Sequence, residues 1–139
     1  MKDLREIDAL VERHIFGRDV IFVEGQDRWL EDEHGTFILQ PGDSYYQENG
    51  YDVPVAGYSS QIRPAWQVVE KLAERGMYFQ ISTEPPGFDV TFEAIIRDGN
   101  TGTWDRNGSY DGYVAEAQAK TAPLAICLAA LKACGVEVE

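Results

Sequence analysis

The segment from Thr121 to Gly135 constrains the fold more than any other part of the chain. Thr121 is predicted to cap a helix, Pro123 lies in its first turn, where a missing N–H costs little, and Gly135 ends it. One face of this helix is formed by Leu124, Cys127, Leu128, Leu131 and Cys134, and much of the rest by Ala125, Ala129, Ala130 and Ala133. Small residues on a second face allow close approach, so we expect the helix to pack on a sheet or another helix.

The size of the chain predicts a single domain that spans residues 1–139. Two independent cores would leave about 70 residues for each, which is marginal for stability. Apolar residues make up 44% of the chain and aromatic residues 12%, which is enough to fill one core.

Hydrophobic periodicity and turn residues predict an α+β fold. Helices are predicted over 3–16, 60–75 and 121–134, strands over 20–23, 28–31, 36–39, 77–82, 88–95 and 113–119, an irregular surface loop over 40–58, and a long hairpin loop over 98–112. The resulting order is a helix, two or three short strands, a second helix, a three-stranded antiparallel meander and a third helix. Ser59 or Ser60 is the predicted cap of the second helix.

The charge balance excludes several classes of function. The formal net charge is −12, which repels phosphate backbones and argues against direct nucleic-acid binding. Double-stranded-RNA-binding domains share the helix–three strands–helix order, but Lys120 alone is basic at the start of the last helix. The chain has no stretch of 18 apolar residues, so no membrane span is predicted. The first residues are too charged for a signal peptide, and we therefore expect a cytoplasmic protein.

Acidic residues are concentrated between positions 19 and 62. Asp19, Glu24, Asp27, Glu31, Asp32, Glu33, Asp43, Glu48 and Asp52 lie there with one basic residue, Arg28, so the local formal charge is 1 − 9 = −8. Two interpretations stay open: a solvated face, or a surface that imitates nucleic acid or meets a basic partner.

The sequence predicts no enzyme, no cofactor and no metal site. Cys127 and Cys134 are seven positions apart, about 10 Å along a helix, and a disulfide needs Cα atoms within roughly 7 Å. We therefore expect two buried, reduced thiols. His14 is expected at a helix edge and His34 in a solvated turn, and none of the common nucleophile, phosphate-loop or zinc motifs is present.

Aromatic and arginine side chains supply the candidate ligand-binding residues. Loop tyrosines beside glycines offer flat faces for stacking a base, and a pair of arginines can clamp a pyrophosphate by bidentate hydrogen bonds. A small anionic ligand can bind in such a local positive pocket despite the negative total charge. The candidates are Tyr45, Tyr46, Tyr51, Tyr58, Arg63, Trp66, Arg97, Trp104 and Arg106.

Three segments carry a resemblance to a known family: the run that starts at Tyr58-Ser-Ser-Gln-Ile-Arg-Pro-Ala-Trp, the run that starts at Thr121-Ala-Pro-Leu-Ala-Ile-Cys, and the opening helix with Glu6-Ile-Asp-Ala-Leu-Val and Gly17. Together they resemble the phage ABA sandwich domain family over roughly half of the chain. The resemblance implies a layered α/β sandwich encoded by phages or prophages, and it brings no catalytic residues. A specialised function is then expected in the two elaborated loops, about 25–57 and 98–112.

We therefore expect a non-catalytic phage or prophage accessory protein in the cytoplasm of the host cell. The first hypothesis is an anti-defence protein that binds and sequesters a small nucleotide-derived signal of host immunity. The alternative is an acidic-surface inhibitor, or nucleic-acid mimic, that binds a basic host protein. The expected partners are thus a small-molecule ligand or a basic host protein, with no direct nucleic acid and no membrane. Tryptophan-rich loops and an alanine-rich helix also offer contact surface for a homo-oligomer.

Overall fold

The computed structural model describes residues 3–32, 35–83, 91–99, 103–104 and 110–138. The elements are α1 Leu4–His14, β1 Ile21–Phe22, β2 Arg28–Asp32, β3 Gly35–Leu39, β4 Ser44–Glu48, β5 Tyr51–Pro54, α2 Ile62–Ala73, β6 Met77–Thr83, β7 Phe92–Asp98, β8 Thr103–Trp104, β9 Tyr110–Asp111, β10 Tyr113–Ala119 and α3 Ala122–Ala133. Within the described residues, no helix is both long and apolar enough to cross a membrane. The predicted layered α+β class is confirmed.

All described sheets are antiparallel, and two of them have three strands. The main sheet has the order β10-β7-β6, and the N-terminal sheet has the order β1-β4-β5. The pairs β2–β3 and β8–β9 form two-stranded ribbons. Five strands therefore lie between α1 and α2, instead of the two or three predicted.

The main core surrounds α3, which contacts β7 and β10 of the main sheet as well as α1 and α2. The fully buried residues of α3 are Ala125, Ile126, Cys127, Ala129, Ala130 and Leu131. Alanines on the strands, Ala94 and Ala117, belong to the same core, so small side chains meet from both layers. The expected close packing of this helix is thus confirmed, against both a sheet and helices.

Helix α1 begins where its cap was predicted. The Asp3 side chain accepts the N–H of Arg5 at 2.7 Å, and the helix starts at Leu4. Ile7, Val11 and Ile15 form the fully buried stripe. Gly17 follows the helix with a φ of 72°, the left-handed conformation that glycine adopts without strain.

The segment 40–58 is not the irregular loop that was expected. Strands β4 and β5 pair from Tyr45↔Pro54 to Glu48↔Tyr51, joined by a two-residue turn. Both turn residues have positive φ, 52° at Asn49 and 84° at Gly50. Asn-Gly is the preferred sequence for this kind of tight hairpin turn, so the prediction failed because glycine and proline density was read as loop.

Helix α2 starts at Ile62 after Gln61, and neither serine caps it as predicted. Ser59 is buried instead, its N–H donating to the Asp8 carboxylate at 2.7 Å and its hydroxyl to the Leu4 carbonyl at 3.3 Å. The hydrogen bonds of Ser59 therefore join this segment to α1.

The remaining predictions are partly confirmed. The strand predicted over 77–82 is β6, the one over 113–119 is β10, and the strand predicted over 88–95 is found as β7 at Phe92–Asp98. Phe88 lies outside the described residues. Cys127 is buried and Cys134 is half-buried, with the Arg75 guanidinium 3.9 Å from its sulfur. Both cysteines are free, as expected, but full burial holds for Cys127 only.

Candidate functional site: the outward face of the main sheet

The outward face of the main sheet is set by the alternation of β7. Ala94 and Ile96 are fully buried in the core. Because successive side chains of a strand point to opposite faces, Glu93, Ile95 and Arg97 point away from the core. The outward face therefore carries one cation in its central strand.

The strand register brings two tyrosines to that cation. Tyr78 on β6 and Tyr113 on β10 are both directly opposite Arg97. Residues directly opposite in antiparallel strands share a face, and adjacent strands are about 4.8 Å apart. Tyr78 exposes 42% of its surface and Tyr113 exposes 54%. We call Tyr78, Arg97 and Tyr113 the Tyr–Arg–Tyr row.

Two further rows continue this face along the strands. Gln80, Ile95 and Glu116 form the next row, and Ser82, Glu93 and Gln118 form the one beyond. The Gln118 amide donates to the Glu93 carboxylate at 2.9 Å. Hydrogen-bonding groups and one apolar side chain therefore lie beside the Tyr–Arg–Tyr row.

The row lies at the end of the sheet that leads into the segment 98–112. The Asp98 N–H donates to the Gly112 carbonyl at 2.7 Å, and the β8–β9 ribbon extends beyond. A Cβ at Gly99 would lie 3.2 Å from the Gly76 carbonyl oxygen and 3.7 Å from Cε1 of Tyr78. A side chain at this position would therefore crowd the Gly76 carbonyl, which accepts the Gly99 N–H at 2.8 Å.

A β-bulge lies at the Tyr113 end of the row. Tyr113 is opposite Arg97, but Ala115 is already opposite Ile96, so one extra residue is inserted in β10. Bulges bend a strand locally and change the direction of its side chains. The direction of the Tyr113 side chain thus depends on this bulge.

Three of the predicted ligand residues, Tyr45, Tyr46 and Tyr58, are buried in the protein. The Tyr58 hydroxyl donates to the two carboxylate oxygens of Glu12, at 2.9 and 3.0 Å. Arg18 donates to the same carboxylate at 3.0 Å, and its guanidinium carbon lies 4.5 Å from the centre of the Tyr46 ring. The Phe16 and Tyr58 rings stack with centres 5.2 Å apart. Tyr46 and Tyr58 therefore pack against residues of α1 and of the segment that follows it.

Burial and the Glu12 charge act on the hydroxyls of Tyr46 and Tyr58. Burial raises the pKa of Tyr58, and the neighbouring Glu12 carboxylate raises it further. The pKa of Tyr46 is raised by the same two causes, burial first. Both hydroxyls are protonated at neutral pH, so Tyr58 is a hydrogen-bond donor to Glu12.

Tyr45 and Tyr51 lie at the N-terminal sheet. Tyr45 is buried, with the Arg28 guanidinium carbon 4.7 Å from its ring centre, and Arg28 also pairs with Asp52 at 2.8 Å. Tyr51 is exposed beside the hairpin turn. A groove of about 340 Å³ opens beside Tyr45, lined by Phe22, Val23, Glu24, Gln26, Asp27, Arg28, Trp29 and Tyr45.

The structure divides the predicted residues into separate groups. Arg63 and Trp66 are exposed on α2, whereas Arg97 belongs to the main sheet. Trp104 is in β8, but its side chain and all of Arg106 lie outside the part of the chain that the structure describes. The four predicted tyrosines between positions 45 and 58 thus lie in other segments of the chain than Arg63 and Arg97.

Sequence reasoning missed Tyr78 and Tyr113 as site residues. One signal was present: along β6, Tyr78 alternates in step with Gln80 and Ser82, so an aromatic ring shares the polar face. Its proximity to Arg97 depends on strand register, which a single sequence does not specify.

Comparison with known proteins gives one match. The model of a family described as the phage ABA sandwich domain matches residues 9–131. No curated protein and no solved structure matches the chain.

Proposed function

We propose a function from one premise: the chain belongs to the phage ABA sandwich domain family. The family suggests a phage protein. Within that class, we propose a non-catalytic protein that binds a small nucleotide-derived ligand in the host cytoplasm. By sequestering such a ligand, a phage protein would remove a signal of host defence.

The observation that carries this proposal is the Tyr–Arg–Tyr row. A nucleotide combines a flat base with an anionic phosphate. Exposed tyrosine rings stack on bases, and a guanidinium binds phosphate oxygens through two parallel hydrogen bonds. In the row, the Arg97 position lies between two such rings. Gln80 and Glu116 in the next row offer hydrogen bonds to base amines and ribose hydroxyls.

We propose binding without turnover because the Tyr–Arg–Tyr row and the two rows beside it contain no thiol and no imidazole. Burial raises the pKa of the Cys127 thiol, which keeps it protonated and inert. The described residues hold no group of three or more His, Cys, Asp and Glu that could bind a metal. His14 is exposed at the end of α1, in a different element from the row.

A thermal-melt screen of the full chain tests the proposal, with cyclic di- and trinucleotides, ADP-ribose derivatives and NAD as probes. A ligand at about 100 times its Kd adds about 2.7 kcal/mol to the free energy of unfolding. In a chain of this size, that raises the melting temperature by several degrees. We expect a rise with one nucleotide class.

Matched variants then assign the surface. Arg97→Gln, Tyr78→Ala and Tyr113→Ala should each abolish most of the ligand-induced rise. Arg63→Gln and Tyr51→Ala, which change exposed residues elsewhere, should leave it intact. A rise that survives Arg97→Gln, or a flat response to every nucleotide class, would overturn the proposal.

A second function, binding of a basic host protein, is supported by a different observation. Within the acidic region, exposed carboxylates are Asp19, Glu24, Asp27, Glu31 and Glu48. Asp43 and Asp52 pair with Arg5 and Arg28, and the Glu48 carboxylate lies 3.9 Å from the Arg18 guanidinium. Such a complex should form readily at low ionic strength and weaken as salt is added, which a pull-down over a salt series measures. A complex insensitive to salt would count against this function.

A further inference from the structure

Two cavities adjoin at Phe22, at the end of β1. One, of about 390 Å³, is lined by Glu6, Ala9, Leu10, Arg13 and Phe22. The other is the groove of about 340 Å³ beside Tyr45 described above. Phe22 lines both cavities, and we call the two together the Phe22 groove. Each cavity is large enough for an amino-acid side chain, so side chains of one extended segment can occupy the two.

The lining of the groove combines aromatic rings with carboxylates. Phe22 exposes 36% of its surface and Trp29 exposes 66%. Glu24 and Asp27 are exposed in the loop between β1 and β2. A cation gains from ring faces and from carboxylates together, whereas an anion is repelled by the carboxylates.

The arginines of the groove interact with their own chain. Arg28 pairs with Asp52 at 2.8 Å and lies over Tyr45, and Arg13 donates to the Val20 carbonyl at 3.2 Å. The Arg28 charge is therefore compensated by Asp52, and the Arg13 guanidinium is held by a backbone carbonyl. The arrangement of Arg28, with a ring below and a carboxylate at its end, is also an internal example of how a guanidinium binds here.

We propose that the Phe22 groove binds an extended segment of a basic partner protein, and this rests on the second function above. Arginine or lysine side chains of the segment lie over Phe22 and Trp29 and pair with Glu24 and Asp27. Charge complementarity selects this occupant, because the lining has three carboxylates against two arginines, one of which pairs with Asp52, and the whole chain carries a net charge of −12.

Calorimetric titration of the full chain with a short peptide of alternating arginine and leucine tests the proposal. The control peptide replaces arginine by glutamate. The arginine peptide should bind at low ionic strength and weaken as salt rises, and the glutamate peptide should not bind. Absence of binding by the arginine peptide at low salt would overturn the groove proposal.

Paired variants separate the groove from general acidity. Glu24→Gln with Asp27→Asn should weaken peptide binding about tenfold or more, because charge-assisted hydrogen bonds are lost. Glu70→Gln with Glu74→Gln, the same charge change on exposed residues at the C-terminal end of α2, should change it less than about twofold.

The exposed tryptophans give a second matched pair. Trp29→Ala should weaken peptide binding, whereas Trp66→Ala on α2 should not. Equal weakening by both carboxylate pairs would overturn the groove proposal while leaving the acidic-surface function standing. The groove proposal would also be overturned if a basic protein bound in a salt-sensitive way and neither Trp29→Ala nor the Glu24→Gln, Asp27→Asn pair weakened that binding. The acidic-surface function would then still stand.

Discussion

Glu12 is a fully buried carboxylate around which three chain segments meet. It accepts hydrogen bonds from Tyr58, just before α2, and from Arg18, just after α1. A buried charge is costly unless it is paired and hydrogen-bonded, and these contacts offset that cost. Tyr58 and Arg18 therefore matter to stability through Glu12 as well as through their own packing.

Tyr58→Phe should lower the free energy of unfolding by about 1–3 kcal/mol, because it leaves a buried carboxylate short of a donor. Urea denaturation measures the change. Tyr113→Phe removes a hydroxyl from an exposed ring and should change the free energy of unfolding very little. Equal effects of the two variants would contradict the role given to Glu12.

Asp8 should make the stability depend on pH. Burial raises the pKa of its carboxyl, and the hydrogen bonds from Ser59 oppose this only in part. A folded-state pKa above the unfolded value of 3.8 means that folding favours the protonated form. The stabilisation that folding gains from the protonated Asp8 carboxyl is fully present below pH 3.8, and it is lost as the pH rises through the folded-state pKa.

Asp8→Asn should therefore stabilise the protein near neutral pH, and its advantage should shrink as the pH falls through the folded-state pKa of Asp8 and be lost by about pH 3.8. The asparagine side-chain oxygen can still accept the Ser59 N–H. Denaturation of both proteins over a pH series measures the difference. A variant that is less stable at neutral pH would show that the ionised carboxylate contributes more through Ser59 than burial costs.

At the scale of elements, α3 was predictable because its signals are local. The Thr121 hydroxyl accepts the Leu124 N–H at 3.4 Å, and proline and glycine stand at the expected ends. The β4–β5 hairpin was also written locally, in Asn49-Gly50, but the surrounding glycines and prolines obscured it. Ser59 was predicted to cap α2 because serine is a preferred capping residue. Its actual partner, Asp8, is 51 positions away in the chain and leaves no local signal.

The packing of α3 predicts that added volume is not tolerated. Ala130 is fully buried, so Ala130→Leu should lower the free energy of unfolding by about 1–3 kcal/mol or more through overpacking. Ala73→Leu, at the exposed end of α2, should have little effect. Thermal and urea denaturation measure both variants. A tolerated leucine at position 130 would contradict close contact on both sides of α3.

The candidate site was only partly predictable, because it depends on pairing between distant strands. Arg97 was chosen for its chemistry, and that choice remains a prediction. Tyr78 and Tyr113 lie 19 and 16 positions from it and become its neighbours only through the register and the bulge of β10. Composition pointed to aromatic and arginine side chains, but it grouped them by position in the chain rather than by sheet face.

At the scale of the whole molecule, the net charge of −12 should act against folding at low salt. Raising the ionic strength from about 0.01 M to about 0.1 M shortens the screening length from about 30 Å to about 10 Å. The melting temperature should therefore rise over that range, as scanning calorimetry would show. A fall would mean that the ion pairs, such as Arg28–Asp52, outweigh the general repulsion.

The central claim is that the outward face of the main sheet binds the ligand, and NMR chemical-shift mapping tests it most directly. A nucleotide that raises the melting temperature would be titrated into isotopically labelled protein. We expect the largest amide shifts in β6, β7 and β10 around Tyr78, Arg97 and Tyr113, with little change at Tyr51 or Arg63. Shifts centred on the β4–β5 hairpin or on α2, with the main sheet unchanged, would contradict it.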